Sequence, residues 1–366
     1  MELSNEQKVV MTLDAGGTNF VFSAIKAGNE IVDPFTLPAN GHNLELCLKS
    51  IIDGFQHVKS NLTENPVAIS FAFPGPADYP NGIIGDLGNL PAFRGGVALG
   101  PMLEDIFKIP VFINNDGDLF AYGEAIGGLL PEINKEFAQK GIPRKYKNLL
   151  GVTLGTGFGG GIVYNNQLFM GDNSAGAEIW ITRNAFESNI FAEESISIRA
   201  IQRVYSQLTG CVNDKDLTPK DIFDIALGRK QGDSNAAKAS FEKMGTVLGD
   251  VLANAITLLD CNVVIGGGLS NAYPLFAPAM MNQINGKIST FNGQNVDRLE
   301  VKAYNLEDID DKLAFYLSNP IMVKVPKSNR EVIYNWQKNV AVGLSRLGTS
   351  KAVAIGAYAF ALNAIK

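Results

Sequence analysis

Asp116 is the residue best placed to take a proton. Residues 111–113 read as a strand ending in Asn114-Asn115-Asp116, and 119–127 read as the start of a helix. In open α/β sheets ligands sit at the carboxyl ends of strands. A carboxylate there can accept a hydroxyl proton as the oxygen attacks phosphorus. Aspartate also caps helix N-termini well, and the local sequence leaves both readings open. Asp14 ends another short apolar run, 9–13, and leads into Gly16-Gly17-Thr18-Asn19. A carboxylate beside phosphates repels them unless a cation lies between. Magnesium uses few protein carboxylates and keeps its waters, so Asp14 reads as a magnesium partner, direct or through water. The alternative is a turn aspartate bonded to its own backbone.

Glycine-rich turns after strands can wrap phosphates, because backbone N–H groups approach an anion with no Cβ in the way. Three segments qualify: 14–19, 155–161 and 266–268. A lone glycine turn is most often only a turn; three of them, two inside matched hairpins, point to a nucleotide. Gly155–Gly160 also fits GxGxxG, but that fingerprint needs a following helix. Here a β-run and an Asn165-Asn166 turn follow, which excludes a dinucleotide site. There is no GxxxxGK[ST], so a Walker-type ATPase is excluded, and protein-kinase signatures are absent.

The elements that must position these residues repeat a plan. The first half opens as a β-meander (9–13, 20–25 and 30–32, with a turn at 27–29). Apolar residues at helical spacing follow over 43–58, then a buried strand over 66–73, a helix over 101–107 and the strand at 111–113. The second half opens the same way, with strands at 149–154, 162–164 and 168–170. A long apolar helix spans 236–259 and a strand 262–265 runs into the third glycine segment. Residues 284–340 read as strands with a polar insertion, and 348–365 as a final helix. Two such halves predict two related α/β domains, with a hinge near residue 125.

Composition narrows the class. The chain has 366 residues, 46% hydrophobic and 19% charged, enough apolar material for two cores. Net charge is −6 with no basic run, which argues against nucleic-acid binding. There is no uninterrupted apolar span and no apolar signal core, so no membrane association is expected. Cys47, Cys211 and Cys261 form no CxxC pair and suit a reducing cytoplasm. The two histidines, His42 and His57, make a histidine-based zinc site an unpromising reading.

LDAGGTNF, FPGP, GNLPAF, NNDGDLFAYGE, LGTGFGGG and VVIGGGLSNA occur in that order. Together they resemble the ROK family of sugar kinases and repressors, glucokinase-like members of the actin–hexokinase superfamily, over nearly the whole chain. The resemblance implies two ribonuclease H-like domains flanking a cleft: 1–125, completed by helix 348–366, and 126–347, which carries the second phosphate hairpin and the adenosine site. It implies ATP and magnesium as cofactors and transfer to a hexose hydroxyl, the 6-hydroxyl of glucose or a related hexose. It also implies a homodimer. Asp116 matches the catalytic base. Gly75, Asn89, Asn115, Glu178 and Glu193 match substrate contacts. Asp14, Gly16, Gly17, Thr18 and Asn19 match the first phosphate hairpin, Thr156 and Gly157 the second, and Gly267 and Gly268 the adenosine side.

The chain departs from the family where a histidine and a cysteine cluster bind structural zinc. Trp180 and Ile181 stand at the Gly-His pair and Phe191 at one cysteine, so no zinc site is expected. Trp180 reads either as a stacking surface for the sugar or as core. Three other functions stay open: an N-acetylhexosamine kinase, a binding protein that has lost catalysis, and a sugar-responsive repressor. The last needs a helix-turn-helix, which the few residues before the first strand do not form.

Overall fold

The computed structural model describes residues 3–75, 77–85, 92–210 and 217–365. The first apolar run forms β1 (Val10–Ala15), which turns at Gly16 and pairs antiparallel with β2 (Asn19–Lys26). Ala27 and Gly28, both at positive φ, turn the chain into the short β3 (Asn29–Glu30). A further strand, β4 (Phe35–Pro38), pairs with the other half of β2. The expected third run at 30–32 is thus divided into two short strands on one neighbour. Helix α1 (Leu44–Ser60) is capped by the Asn43 side chain and buries Cys47, Ile51, Phe55 and Val58. Then come β5 (Ala68–Ala72), a small β6 (Ala77–Asp78) and β7 (Ile83–Ile84) pair, α2 (Leu99–Phe107) and β8 (Val111–Asn114). β1, β5 and β8 lie parallel, so their carboxyl ends share one edge of the sheet.

Helix α3 (Asp116–Gly127) follows, and α4 (Leu129–Gln139) begins almost at once, burying Leu129, Leu130, Ile133 and Phe137. The sequence reading names no element for that stretch. β9 (Leu149–Leu154) and β10 (Phe158–Tyr164) repeat the opening hairpin. Asn165 and Asn166, again both at positive φ, lead into β11 (Gln167–Phe169). These paired positive-φ turns match the right-handed twist of the strands they join. Helices α5 (Ile198–Thr209), α6 (Pro219–Ala226) and α7 (Ser234–Leu259) precede β12 (Asn262–Gly266) and α8 (Tyr273–Ile284). The polar stretch contains β13 (Lys287–Ser289), β14 (Asn295–Asp297), β15 (Lys302–Asn305), α9 (Ile309–Phe315), β16 (Ile321–Lys324) and β17 (Glu331–Tyr334). β18 (Asn339–Leu344) and α10 (Thr349–Ala364) end the described chain.

Two six-stranded sheets result, ordered β3-β2-β1-β5-β8 with β4 on β2, and β11-β10-β9-β12-β18-β15, beside three two-stranded pairs. In both, an antiparallel hairpin leads into parallel strands, as the repeated sequence plan requires. Helix α10 covers the first sheet and α3 the second, and the two helices pack together between them. Backbone meets backbone where they cross. A Cβ on Gly123 would stand 1.8 Å from the Ala352 carbonyl oxygen, and one on Gly356 would stand 1.9 Å from that of Leu119. These two glycines therefore serve helix contact rather than turns. No described helix is long and apolar enough to cross a membrane.

Candidate active site

Asn115 leaves β8 in an extended conformation, and its Oδ1 accepts the Gly117 N–H at 2.8 Å, which makes it the cap of α3. Asp116 is the first helical residue rather than the cap, and its Oδ1 shares the same N–H at 2.8 Å. Its carboxylate is exposed at the positive end of the helix dipole. Asp14 closes β1 on the same sheet edge. Burial pushes its pKa up, Asp116 nearby adds to the rise, and a hydrogen bond with Ser350 opposes it. Two facing carboxylates of like charge are relieved by a cation between them, so the donor set fits a magnesium ion shared with phosphate oxygens. No cluster of three or more His, Cys, Asp or Glu suited to a metal occurs among the described residues, so the rest of such a shell falls to phosphate and water.

The remaining carboxylates gather where α3 meets β10. A Cβ on Gly117 would stand 2.5 Å from the Gly160 oxygen, and one on Gly161 would stand 2.7 Å from the Asp118 Cα. On the far side of β10, a Cβ on Gly160 would stand 2.7 Å from the Ala177 oxygen. Gly160 and Gly161 thus let α3 and the 177–179 segment approach the strand from both sides. They belong to β10 and not to a phosphate turn, which narrows the expected loop at 155–161. This stacking sets Asp118 beside Glu178. Asp118 is 6% exposed and its Oδ1 has no hydrogen-bond partner. Burial first, then Glu178, then Asp116 push its pKa up to about 7.

Glu178 is exposed and accepts a hydrogen bond from the indole N–H of Trp180. Trp180 is half-buried and packs edge-to-face on Phe191, with ring centroids 5.5 Å apart. It is neither core alone nor an open stacking face; it is a holder of Glu178. On the other side, the Tyr79 hydroxyl donates to the Phe73 oxygen at 3.1 Å and lies against Asn115. A Cβ on Gly75 would stand 2.9 Å from that hydroxyl, which explains a glycine there. Glu193 stands against the second hairpin, beside Gly157. Its Oε2 accepts the Phe158 N–H at 3.0 Å and its Oε1 pairs with Arg199 at 3.0 Å, so it braces the second hairpin.

The three glycine segments converge on the start of α10. Ser350 meets Asp14, and Thr349 Oγ1 accepts the Gly267 N–H at 3.0 Å. Gly267, at φ +86°, would place a Cβ 2.3 Å from the oxygen of Leu154, the last residue before the turn of the second hairpin. Gly17, Gly155 and Gly268 have open space where a Cβ would stand, whereas a Cβ on Gly157 would stand 2.8 Å from Glu193 Oε2. Thr18, Asn19 and Thr156 are exposed beside these turns. A helix N-terminus among open glycine turns suits bound phosphates.

Asn89 lies outside the described residues. Tyr79, Asp118, Thr349 and Ser350 lie against the candidate residues, and the sequence reading does not include them. The hydroxyl pair immediately after Gly348, at the start of a helix, was the legible signal for the last two; Tyr79 had none.

The ROK family pattern matches residues 10–308. The glucokinase of Halalkalibacterium halodurans is 28% identical over 289 residues, covering 71% of this chain and 80% of its own. The N-acetyl-D-glucosamine kinase of Vibrio cholerae is 28% identical over 291 residues, covering 74% and 87%. The crystal structure of a glucokinase from Parabacteroides distasonis is 51% identical, covers 99% of both chains and superposes with a TM-score of 0.90.

Proposed function

The chain belongs to the ROK family, and on that premise we propose that it is an ATP- and magnesium-dependent sugar kinase in which Asp116 takes the proton of the attacking hydroxyl. One observation carries this reading above the others. A carboxylate at a strand end lies near enough to a second one, Asp14, to raise its pKa, and the three glycine segments gather beside them at the start of α10.

Two ribonuclease H-like domains, 1–125 with 348–366 and 126–347, flank the cleft in this reading. Asp14, Gly16, Gly17, Thr18, Asn19, Thr156, Gly157, Gly267 and Gly268 hold the nucleotide, with magnesium at Asp14. ATP supplies the transferable phosphoryl group, and magnesium neutralises the charge on it. The chain does the rest. Asn115, Glu178 and Gly75 line the sugar side, and a carboxylate such as Glu178 accepts strong hydrogen bonds from hydroxyls. Asp116 orients one hydroxyl and removes its proton. Closure of the two halves excludes water, so a sugar outcompetes it as acceptor. The substrate is a hexose or an N-acetylhexosamine, the classes acted on by the glucokinases and the N-acetylglucosamine kinase named above.

The test couples ADP release to a spectrophotometric readout over glucose, mannose, fructose, allose, N-acetylglucosamine and N-acetylmannosamine. One sugar is expected to support turnover. Asp116→Asn is expected to lower kcat by about 10²–10⁴-fold, the usual contribution of a general base, while ATP still binds by calorimetry. Turnover in Asp116→Asn close to that of the parent would remove Asp116 from the mechanism. Silence across the panel with ATP bound would favour the non-catalytic reading.

A further inference from the structure

A cavity of about 680 Å³ opens at the amino ends of β15 and β18, the edge pair of the second sheet. The candidate nucleotide residues lie past the other end of β18, where Leu344 leads to Ser345 and Thr349. Six residues of strand, at about 3.3 Å each, put roughly 20 Å between the two places. The cavity is of the size that takes small molecules, about 300–1,000 Å³. The catalytic reading gives it no task, and its wall at 334–339 lies beyond the segment the family pattern covers.

That wall is aromatic. Tyr334, at the end of β17, and Trp336 both line the cavity, at 51% and 54% exposure. Asn335 between them turns away, its amide donating to the Ser318 hydroxyl at 3.3 Å. The two rings therefore share one side of the chain and offer two flat surfaces in succession. Aromatic rings left half in water commonly serve contact with a ligand or partner. A third ring, Tyr304, holds the Lys302 ammonium at the cavity, 5.3 Å from its centroid.

The polar groups say what lies on the rings. Asn339 lines the cavity at 7% exposure, and its Nδ2 has no hydrogen-bond partner among the described residues. A buried donor left unmade is costly, and each one calls for an explanation. Asn339 and Lys302 donate, while Asp297 and Glu300, also in the lining, accept. An anion here meets the two carboxylates, and a cation meets Lys302. A neutral ring bearing several hydroxyls donates and accepts at once, and its C–H face suits an aromatic surface.

We propose that this cavity binds a short neutral oligosaccharide, with successive sugar rings on Trp336 and Tyr334 and hydroxyls on Asn339, Lys302, Asp297 and Glu300. The site is separate from the proposed catalytic cleft. Binding to it requires no turnover, so a failure of the kinase reading leaves the test below intact.

The chain has two tryptophans, Trp180 and Trp336, so Trp180→Phe leaves Trp336 as the only one. Maltotriose, cellotriose and chitotriose are titrated into that variant while tryptophan emission is read. At least one is expected to change it saturably. Calorimetry with that trisaccharide then compares the full chain with Trp336→Ala and Tyr334→Ala. Each is expected to weaken binding about tenfold, the order of one ring's stacking, with turnover of a monosaccharide near the parental rate. Both positions are exposed on the surface, and a folding failure in one leaves the other to decide. No saturable change with any of the three would overturn the proposal, as would a change produced by ATP and by none of them. Parental affinity in both ring variants would overturn it too, because the trisaccharide would then bind elsewhere on the chain.

Discussion

Glu124 Oε1 accepts a hydrogen bond from the Ser345 hydroxyl at 2.6 Å, across 221 residues of chain. The same carboxylate is wholly buried and also accepts the N–H groups of Arg346, Leu347 and Leu129. Leu129 starts the passage from the first sheet to the second, and 345–347 is the passage back. One side chain therefore ties both crossings of the chain. Arg346 extends the tie, pairing with Glu132 at 3.1 Å and with Glu307 at 2.7 Å.

Glu124→Ala leaves several backbone donors without partners in a place water does not reach. Each such loss costs about 1–3 kcal/mol, so the variant is expected to lose on the order of 3 kcal/mol or more. Ser345→Ala removes the bond to Glu124 and the one its Oγ accepts from the Gly348 N–H at 2.9 Å, and is expected to cost about 1–3 kcal/mol. Differential scanning calorimetry reads both. An unchanged Tm in Glu124→Ala would show that the crossings are held by packing alone.

The glycines divide into two kinds with opposite expected phenotypes. Gly123→Ala forces the two central helices apart and is expected to destabilise by about 1–3 kcal/mol or more. Gly155→Ala meets open space, so its Tm should stay within about 0.5 kcal/mol equivalent of the parent. Its ATP affinity should fall, because the added methyl stands where phosphate oxygens approach the backbone. Calorimetric titration beside thermal melts separates the two. A Gly155→Ala protein that binds ATP as tightly as the parent would take that turn out of the nucleotide site.

Much of this was readable beforehand, and the misses have physical causes. Alternation and turn residues located the paired hairpins, because Asn165-Asn166 and Gly28 suit positive φ by residue type. Asp116 was recognisable at its strand end. Its capping role was not separable from that of Asn115, since either side chain can reach the Gly117 N–H and both do. The run from Gly155 to Gly161 reads as one loop. Only the approach of α3 and of residue 177 to β10 reveals that Gly160 and Gly161 serve packing. Asp118 was invisible as a site residue, because its significance lies in Glu178, sixty residues on, being stacked beside it. The resemblance names Glu193 for the sugar side, but only the structure shows that its Oε2 also accepts the Phe158 N–H of the second hairpin.

Asp118 gives the fold a pH dependence of predictable sign. Its pKa stands at about 7 in the folded chain, against roughly 4 for a free aspartate. Between those values the folded chain holds a proton that the unfolded chain has released. Stability from this group is therefore full below about pH 4, falls as pH rises and is lost above about 7. Glu178 and Asp116 are the charged groups that raise it after burial. Asp118→Asn removes the titration and keeps the shape. Its Tm relative to the parent is expected to climb from pH 5 and level off above about pH 7. A difference that does not vary with pH would mean that the carboxyl is not held protonated.

Trp180 offers the sharpest separation of substrate binding from turnover. Its indole N–H is fixed on Glu178 while its ring is fixed on Phe191, so the carboxylate is presented in one orientation. Trp180→Phe keeps an aromatic ring on Phe191 and deletes only the donor. A hydrogen bond to a charged group is worth about 1.5–3 kcal/mol. If that bond sets how Glu178 meets the sugar, the sugar KM rises by roughly tenfold or more, with the ATP KM and the Tm near their parental values. Glu178→Gln is expected to raise the sugar KM further, and adding Trp180→Phe to it should cost little more, because the two residues then act on one interaction. Additive losses in the double variant would show that Trp180 acts through something other than Glu178. A parental sugar KM in both single variants would place the sugar away from this side of the cleft.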